Sequence, residues 1–479
     1  MNKIRKYTKL GTEQLKNRTY HYFSYSLYYL LKIINLIIKL TDNINVIFWN
    51  LGNLFDIQPN EISSNLEFTP NKGWNEKVRD IKIQNLTNKI KNTFDNGPDL
   101  IGVCEIENAF LAEKLIDELK KSLGRDDYQI AGTNMDGKLK PYHKGPDLRG
   151  IDTCLIYSNK VFEQLDGHGY MINFRFPTRD IFYAKLRVLK NNAKLNVLVN
   201  HWPSRRGRDD FSELMDTEYT RYMAAEHCGR IVDSILKYPK MEIEKFPNNV
   251  DSIQEGKTVL EKLEERWNIN ILVMGDFNDE PFDKSIMKYL YATPDKNLLR
   301  KWSRIFRLAK EDFKNRDKTY KQIYLEQPSV LFNCMWNLYP NGSLYFRKTN
   351  SFNLFDQFMI SRGLLCGKHG LKMNITSVNI NTRGMTLGEN LSESKFEQEN
   401  KYDERLIPLE FKQRPMSFEF DRTKNDINNN EMNAIAREIL KPKISQAISS
   451  GNRKVFRSKL EFSKFIQAVC RYYNGYNLF

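Results

Sequence analysis

The stretch NILVMGDFN, residues 270–278, decides how the chain is read. Four consecutive apolar residues bounded by Asn270 and Gly275 are too few for a buried helix, and they read as a strand covered on one or both faces. The run then delivers two polar side chains, Asp276 and Asn278. Working outward, NVIFW (45–49), LIGVC (100–104), TCLIY (153–157), LNVLV (195–199) and FDQFMIS (355–361) are short apolar runs of the same kind. Between them, residues 76–94, 108–123 and 217–237 repeat apolar positions at helical spacing. Strands alternating with helices predict a layered α/β domain over residues 42–420.

The chain has 479 residues, of which 41% are hydrophobic and 12% aromatic, too rich in core formers for a disordered protein. Its 74 Lys and Arg outnumber 59 Asp and Glu, and the net charge of +15 favours polyanionic partners. Six cysteines without a CxxC pair, two of them inside apolar runs, suit a reducing, cytoplasmic setting. Residues 1–41 carry eight Lys or Arg against one acid, Glu13, and Lys32, Asn35 and Lys39 interrupt the apolar stretch from Tyr22 to Leu40. That pattern predicts an amphipathic helix, packed on the body or on an anionic membrane surface, over the competing readings of a membrane span or an export signal. Residues 384–404 read as an exposed loop and 421–430 as a linker. Residues 431–479 read as a basic helical extension that offers a surface to a protein partner.

Several strands end in carboxylate, amide or imidazole side chains. Asn50 closes the first, Glu105 the second, and Asn200 with His201 the run LNVLVNH; Asp276 and Asn278 follow NILVMG, and Asp356 opens DQFMIS. One Asn or Asp after a strand is usually a turn residue, since its side chain bonds the neighbouring backbone. Acid, amide and imidazole together supply oxygen ligands for a hard cation, donors for phosphate oxygens and a group for proton transfer.

With WNLGNLFD (49–56), PDLIGVCEIEN (98–108), DLRGIDTCLIYS (147–158), NVLVNHWPSRRG (196–207), VMGDFNDEP (273–281) and FDQFMISRGLL (355–365), the body resembles the endonuclease/exonuclease/phosphatase superfamily, and most its bacterial nuclease-like branch. The resemblance implies a four-layer αββα sandwich, here with helical segments appended at both ends. It also implies a Mg²⁺- or Mn²⁺-dependent phosphodiesterase acting on DNA or RNA.

Carried over by position, Glu105 resembles the metal-binding glutamate, with Asn50 beside it. Asp276 resembles the group that orients or deprotonates the attacking water, Asn278 the amide that holds it and the phosphate, and Asn200 with His201 the pair on the scissile phosphate. Arg149 and Asp152 match the RGID element, while Arg205 and Arg206 are expected to grip flanking phosphates. Asp356 matches an aspartate that orients a terminal histidine, yet no histidine follows His369. The nearest echo is PMSFEF (415–420), where Glu419 would stand in its place. A phosphoinositide or sphingomyelin phosphoesterase, and a catalytically impaired binding module, are the competing readings.

Overall fold

The computed structural model describes residues 43–422 apart from 58–67, 95, 136, 142–149, 173–177, 206–216, 248–252, 300–319, 340–343, 347–350 and 382–415. Residues 1–41, the loop at 384–404, most of the expected linker and the segment 431–479 lie outside the described residues, as do Arg149 and Arg206. The chain divides into two units, Met1–Thr423 and Lys424–Phe479, and every described residue belongs to the first. Among the described residues no helix is long and apolar enough to cross a membrane.

The strands are β1 (Ile44–Leu54), β2 (Leu100–Ile106), β3 (Tyr128–Ile130), β4 (Gly132–Met135), β5 (Lys138–Pro141), β6 (Asp152–Ser158), β7 (Phe162–Tyr170), β8 (Ile181–Val188) and β9 (Lys194–His201). After them come β10 (Ile271–Asp276), β11 (Ala292–Thr293), β12 (Leu331–Asn333), β13 (Leu344–Phe346), β14 (Ser351–Asn353), β15 (Asp356–Ile360), β16 (Leu371–Ile380) and β17 (Met416–Arg422). Six strands form one sheet in the order β16-β17-β1-β2-β6-β3, and seven form a second in the order β11-β12-β15-β10-β9-β8-β7. Two hairpins, β4-β5 and β13-β14, stand apart from them.

Alternation along the strands explains the layers, because successive side chains point to opposite faces of a sheet. On β1, Val46 and Phe48 join Val197, Val199, Leu272, Met274 and Phe358 of the second sheet in one core between the sheets. Ile47 and Trp49, one residue out of phase, pack with Ile83, Leu86, Leu111 and Leu115 of helices α1 (Glu76–Lys91) and α2 (Ala109–Leu123). On the far side, Leu198, Ile271 and Val273 pack with Ala224, Cys228 and Val232 of α3 (Thr217–Leu236). Both faces of each central strand are therefore covered, which accounts for the unbroken apolar runs and gives the αββα order of layers. Asn75 and Asn108 start the two N-terminal helices by accepting from the backbone N–H of Val78 and Leu111.

Parallel pairing brings the polar strand ends to one edge. β1 runs parallel to β2, and β9 to β10, so Asn50 lies beside Cys104 and His201 beside Asp276 in register. β15 is antiparallel to β10 and starts with Asp356 directly opposite Asp276. Gly275 permits this close approach, since a Cβ there would lie 2.3 Å from the Asn200 carbonyl oxygen. Cys104, Cys154, Cys228 and Cys334 are buried free thiols, and burial pushes those of Cys154 and Cys228 up to about 12.

Candidate active site

Asn50, His201, Asp276 and Asp356 all occupy the strand positions that face the space between the sheets. Each lies two residues, or a multiple of two, from a side chain of the inter-sheet core: Phe48, Val199, Met274 and Phe358 respectively. All four are buried. The amide Nδ2 of Asn50 donates to Asp276 Oδ2 at 2.9 Å, bridging the two sheets, and Asn50 Oδ1 accepts from the Gly52 N–H at 2.9 Å. Asp276 Oδ1 accepts the N–H of Asn278 at 2.9 Å.

Glu105 reaches this cluster by a different route. Strict alternation would aim it at the helices, on the face of Ile101 and Val103. The registers of β1 with β2 and of β2 with β6 slip at this point, and Glu105 takes φ 61° beside Gly52 at 65° and Asn53 at 61°. A bulge of this kind re-aims one side chain. Glu105 Oε2 accepts the Asn53 N–H at 2.8 Å, and Oε1 stands 3.7 Å from His201 Nε2. Lys82 of α1 secures the bulge by donating to the carbonyls of Gly52 at 2.6 Å and Asn53 at 3.2 Å. The Cys104 thiol behind them is held well above its ordinary value by burial, reinforced by the negative charges of Asp276, Glu105 and Asp356.

Residues 45–243 match the family described as Endonuclease/Exonuclease/phosphatase. The match spans β1 to the segment after α3, 199 of the 479 residues. The chain's fold is also similar to solved structures of low sequence identity. The human Nocturnin catalytic domain with bound sulfate anion is 14% identical, with 80% of this chain and 95% of that one covered and a TM-score of 0.37. Truncated TDP2 of Caenorhabditis elegans is 11% identical, with 79% and 98% covered and a TM-score of 0.39. Mannosyl-6-phosphatase Bt3783 of Bacteroides thetaiotaomicron is 12% identical, with 79% and 99% covered and a TM-score of 0.37. No curated protein matches the sequence. The family is one of phosphoesterases and nuclease-type enzymes that generally use divalent metals.

Within this domain, several residues stand elsewhere than their sequence context predicts. Asn200 and His201 do not act as a pair, because consecutive strand residues face opposite ways. Asn200 accepts from the Trp202 indole N–H at 3.0 Å, donates to the Leu198 carbonyl at 3.3 Å and lies against the Cys228 thiol of α3. It therefore supports Trp202, which packs edge-on against Phe277 and whose carbonyl accepts from Asn278 Nδ2 at 2.9 Å. Asp152 sits opposite Ile106 on the helix-facing side shared with Cys154, and its Oδ1 accepts from the Thr153 N–H.

Arg205 is committed to the protein itself. Its Nε donates to the Asn278 carbonyl at 2.9 Å, its Nη2 pairs with Asp279 at 3.1 Å and with Asp283, and its guanidinium lies 4.7 Å above the Phe355 ring. Asp279 also pairs with Arg221 of α3 at 2.8 Å and accepts from Ser285 Oγ at 2.6 Å. Glu280 accepts from Asn353 Nδ2 at 2.6 Å and from the Leu354 N–H at 2.9 Å. Burial raises both of these carboxyls from their ordinary range, against the opposing pull of those partners. Asp279, Glu280 and Lys82 are thus supports that no single position in the sequence announced.

Glu419 lies at the opposite end of the first sheet. It is in register with Asn45 of β1 and Asn374 of β16, and its Oε2 accepts from Asn43 Nδ2 at 2.9 Å. Asn45 precedes Asn50 by five residues on one strand, a separation of about 16 Å. A cavity of about 750 Å³ opens there between Glu419, Asp99, Lys160 and Lys190, away from the carboxylate cluster. Glu419 therefore does not replace a terminal histidine.

Proposed function

We propose that the chain is a divalent-metal-dependent phosphodiesterase that hydrolyses DNA or RNA. The observation that carries this reading is the convergence of Asn50, Glu105, His201, Asp276 and Asp356 at one edge of two packed sheets, with Asn50 hydrogen-bonded to Asp276 across them.

Among the described residues no group of three or more His, Cys, Asp or Glu side chains is arranged to enclose a metal ion. The donor set nevertheless fits Mg²⁺ or Mn²⁺. Mg²⁺ is commonly held by one or two carboxylates, with water and substrate phosphate filling the remaining positions. Glu105 and the Asn50 amide oxygen are hard donors of that kind, and the nearby buried charges of Asp276 and Asp356 favour a cation. Such an ion, when bound, neutralises charge that develops on the phosphate oxygens.

The chain's own residues supply the proton transfers and the positioning. Asp276, fixed by the Asn50 amide and the Asn278 N–H, is placed to accept a proton from the attacking water. His201 points into the same space and is placed to protonate the leaving oxygen. Asn278 has φ 52° and is tied through Nδ2 to the Trp202 carbonyl, so its amide is set in one orientation for the phosphate.

The test incubates the full chain with supercoiled plasmid, single-stranded DNA, RNA or phosphoinositide vesicles, in Mg²⁺, Mn²⁺ or EDTA. Cleavage of a nucleic acid that EDTA stops and added metal restores is the expected result. Release of phosphate from the vesicles alone would move the substrate to lipids, and no turnover at all would leave a binding module.

A further inference from the structure

Three aromatic side chains stand in contact beside the site. Phe282 lies four residues after Asn278, so the two are at most about 14 Å apart along the chain. Its ring meets Trp336 edge-on at 6.5 Å and Tyr339 edge-on at 5.5 Å. Trp336 opens the helical turn Trp336–Leu338, which follows β12. β12 is antiparallel to β15, so its C-terminal end lies towards the start of β15, where Asp356 stands. Hydrogen bonds join the two limbs of this cluster. Asn333 Nδ2 donates to Gln357 Oε1 at 2.7 Å, and Gln357 Nε2 donates to the Asp279 carbonyl at 2.6 Å.

Phe282 and Tyr339 remain 46% and 48% exposed. An isolated exposed aromatic needs no explanation, but two in one cluster, within a chain length of about 14 Å of Asn278 and held on a braced framework, leave ring surface uncovered near the site. Rings arranged edge to face leave their flat sides open for a further planar group. Nucleobases stack on such surfaces irrespective of sequence.

We infer that Phe282, Trp336 and Tyr339 form a stacking platform for a nucleobase next to the scissile phosphate, making a base-bearing single strand the preferred substrate. This rests on the phosphodiesterase reading above and narrows it.

The experiment compares Phe282→Ala and Tyr339→Ala with the wild-type full-length chain on two trinucleotide backbones, one carrying bases and one abasic. Each variant should lower the ratio of kcat/KM on the base-bearing to the abasic substrate by about 10-fold, mainly through KM. In EDTA, where cleavage is stopped, the base-bearing trinucleotide should quench intrinsic fluorescence, and Trp336→Phe should remove that component. A ratio unmoved in both alanine variants, or a quench that survives Trp336→Phe, overturns the platform. So does loss of binding to phosphatidylserine vesicles in the alanine variants with the base preference intact, which would make the cluster a lipid contact. Failure of the phosphodiesterase reading looks different: the wild type cleaves neither backbone, while the fluorescence arm still reports on the platform.

Discussion

Glu105 adopts a backbone conformation that costs a non-glycine residue about 1–3 kcal/mol, and the bulge around it has no evident use in packing. What the bulge achieves is to turn one carboxylate from the helix side to the inter-sheet side, next to His201. Glu105→Gln keeps the shape and the acceptor for the Asn53 N–H while removing the charge. Since loss of an outer-shell partner already costs about 10–100-fold at a metal site, this variant should lower metal-dependent cleavage by more than about 100-fold. Thermal melting within a few degrees of wild type would show that the fold is kept, and undiminished cleavage by such a protein would sink the metal role. Glu419→Ala should leave turnover where it is, because Glu419 sits some five strand residues from Asn50; a 10-fold drop in kcat would place it back in the chemistry.

At the scale of elements, the segment after β10 is held from three sides, by Arg205, by Arg221 of α3 and by the Asn353–Leu354 backbone and side chain gripping Glu280. Its rigidity sets where Asn278 points. Arg205→Ala should destabilise the domain by about 1–3 kcal/mol, read from the denaturant midpoint, by exposing buried partners to loss of a charged donor. The slope of log affinity against log salt for DNA should stay as it was, whereas a slope reduced by about one unit with stability intact would make Arg205 a phosphate contact. This segment also shows what the sequence could disclose. Strand identity and the polar strand ends are readable from NILVMGDFN and its counterparts, because each is a local pattern, whereas cover on both faces rather than one depends on the packed helices. The partner of an arginine is not local, so Arg205 after NHWPS reads as a phosphate grip, whereas in the fold Asp279 and Asp283 stand beside it. Asn200 was misplaced for a related reason: adjacency in sequence concealed the alternation that separates it from His201. Glu419 needed the register of β17 on β1, and the aromatic platform joins position 282 to positions 336 and 339, more than fifty residues further along the chain.

Across the whole molecule, the two ends of the first sheet divide the work. One end carries the carboxylate cluster, and the other is tied by charge. There Arg125 donates to Asp127 through Nε at 3.1 Å and Nη2 at 2.8 Å, to Asp99 at 3.2 Å and to the carbonyl of Asn96 at 2.9 Å, while Ser158 Oγ donates to Asp127. Asp99 Oδ2 in turn accepts the N–H of Asn45 at the start of β1. Burial alone would raise the Asp127 carboxyl, but the Arg125 and Ser158 hydrogen bonds outweigh it and hold it at about 2, below the ordinary 3.8. A carboxyl depressed in the folded state binds its proton more readily when unfolded, so its contribution is complete above about pH 4 and disappears as pH falls towards 2. Urea midpoints of wild type and Asp127→Asn should therefore differ most near neutral pH and converge between pH 4 and pH 2. A gap that stays constant over that interval would show that Asp127 stabilises the fold by packing and neutral hydrogen bonds, with its charge contributing nothing.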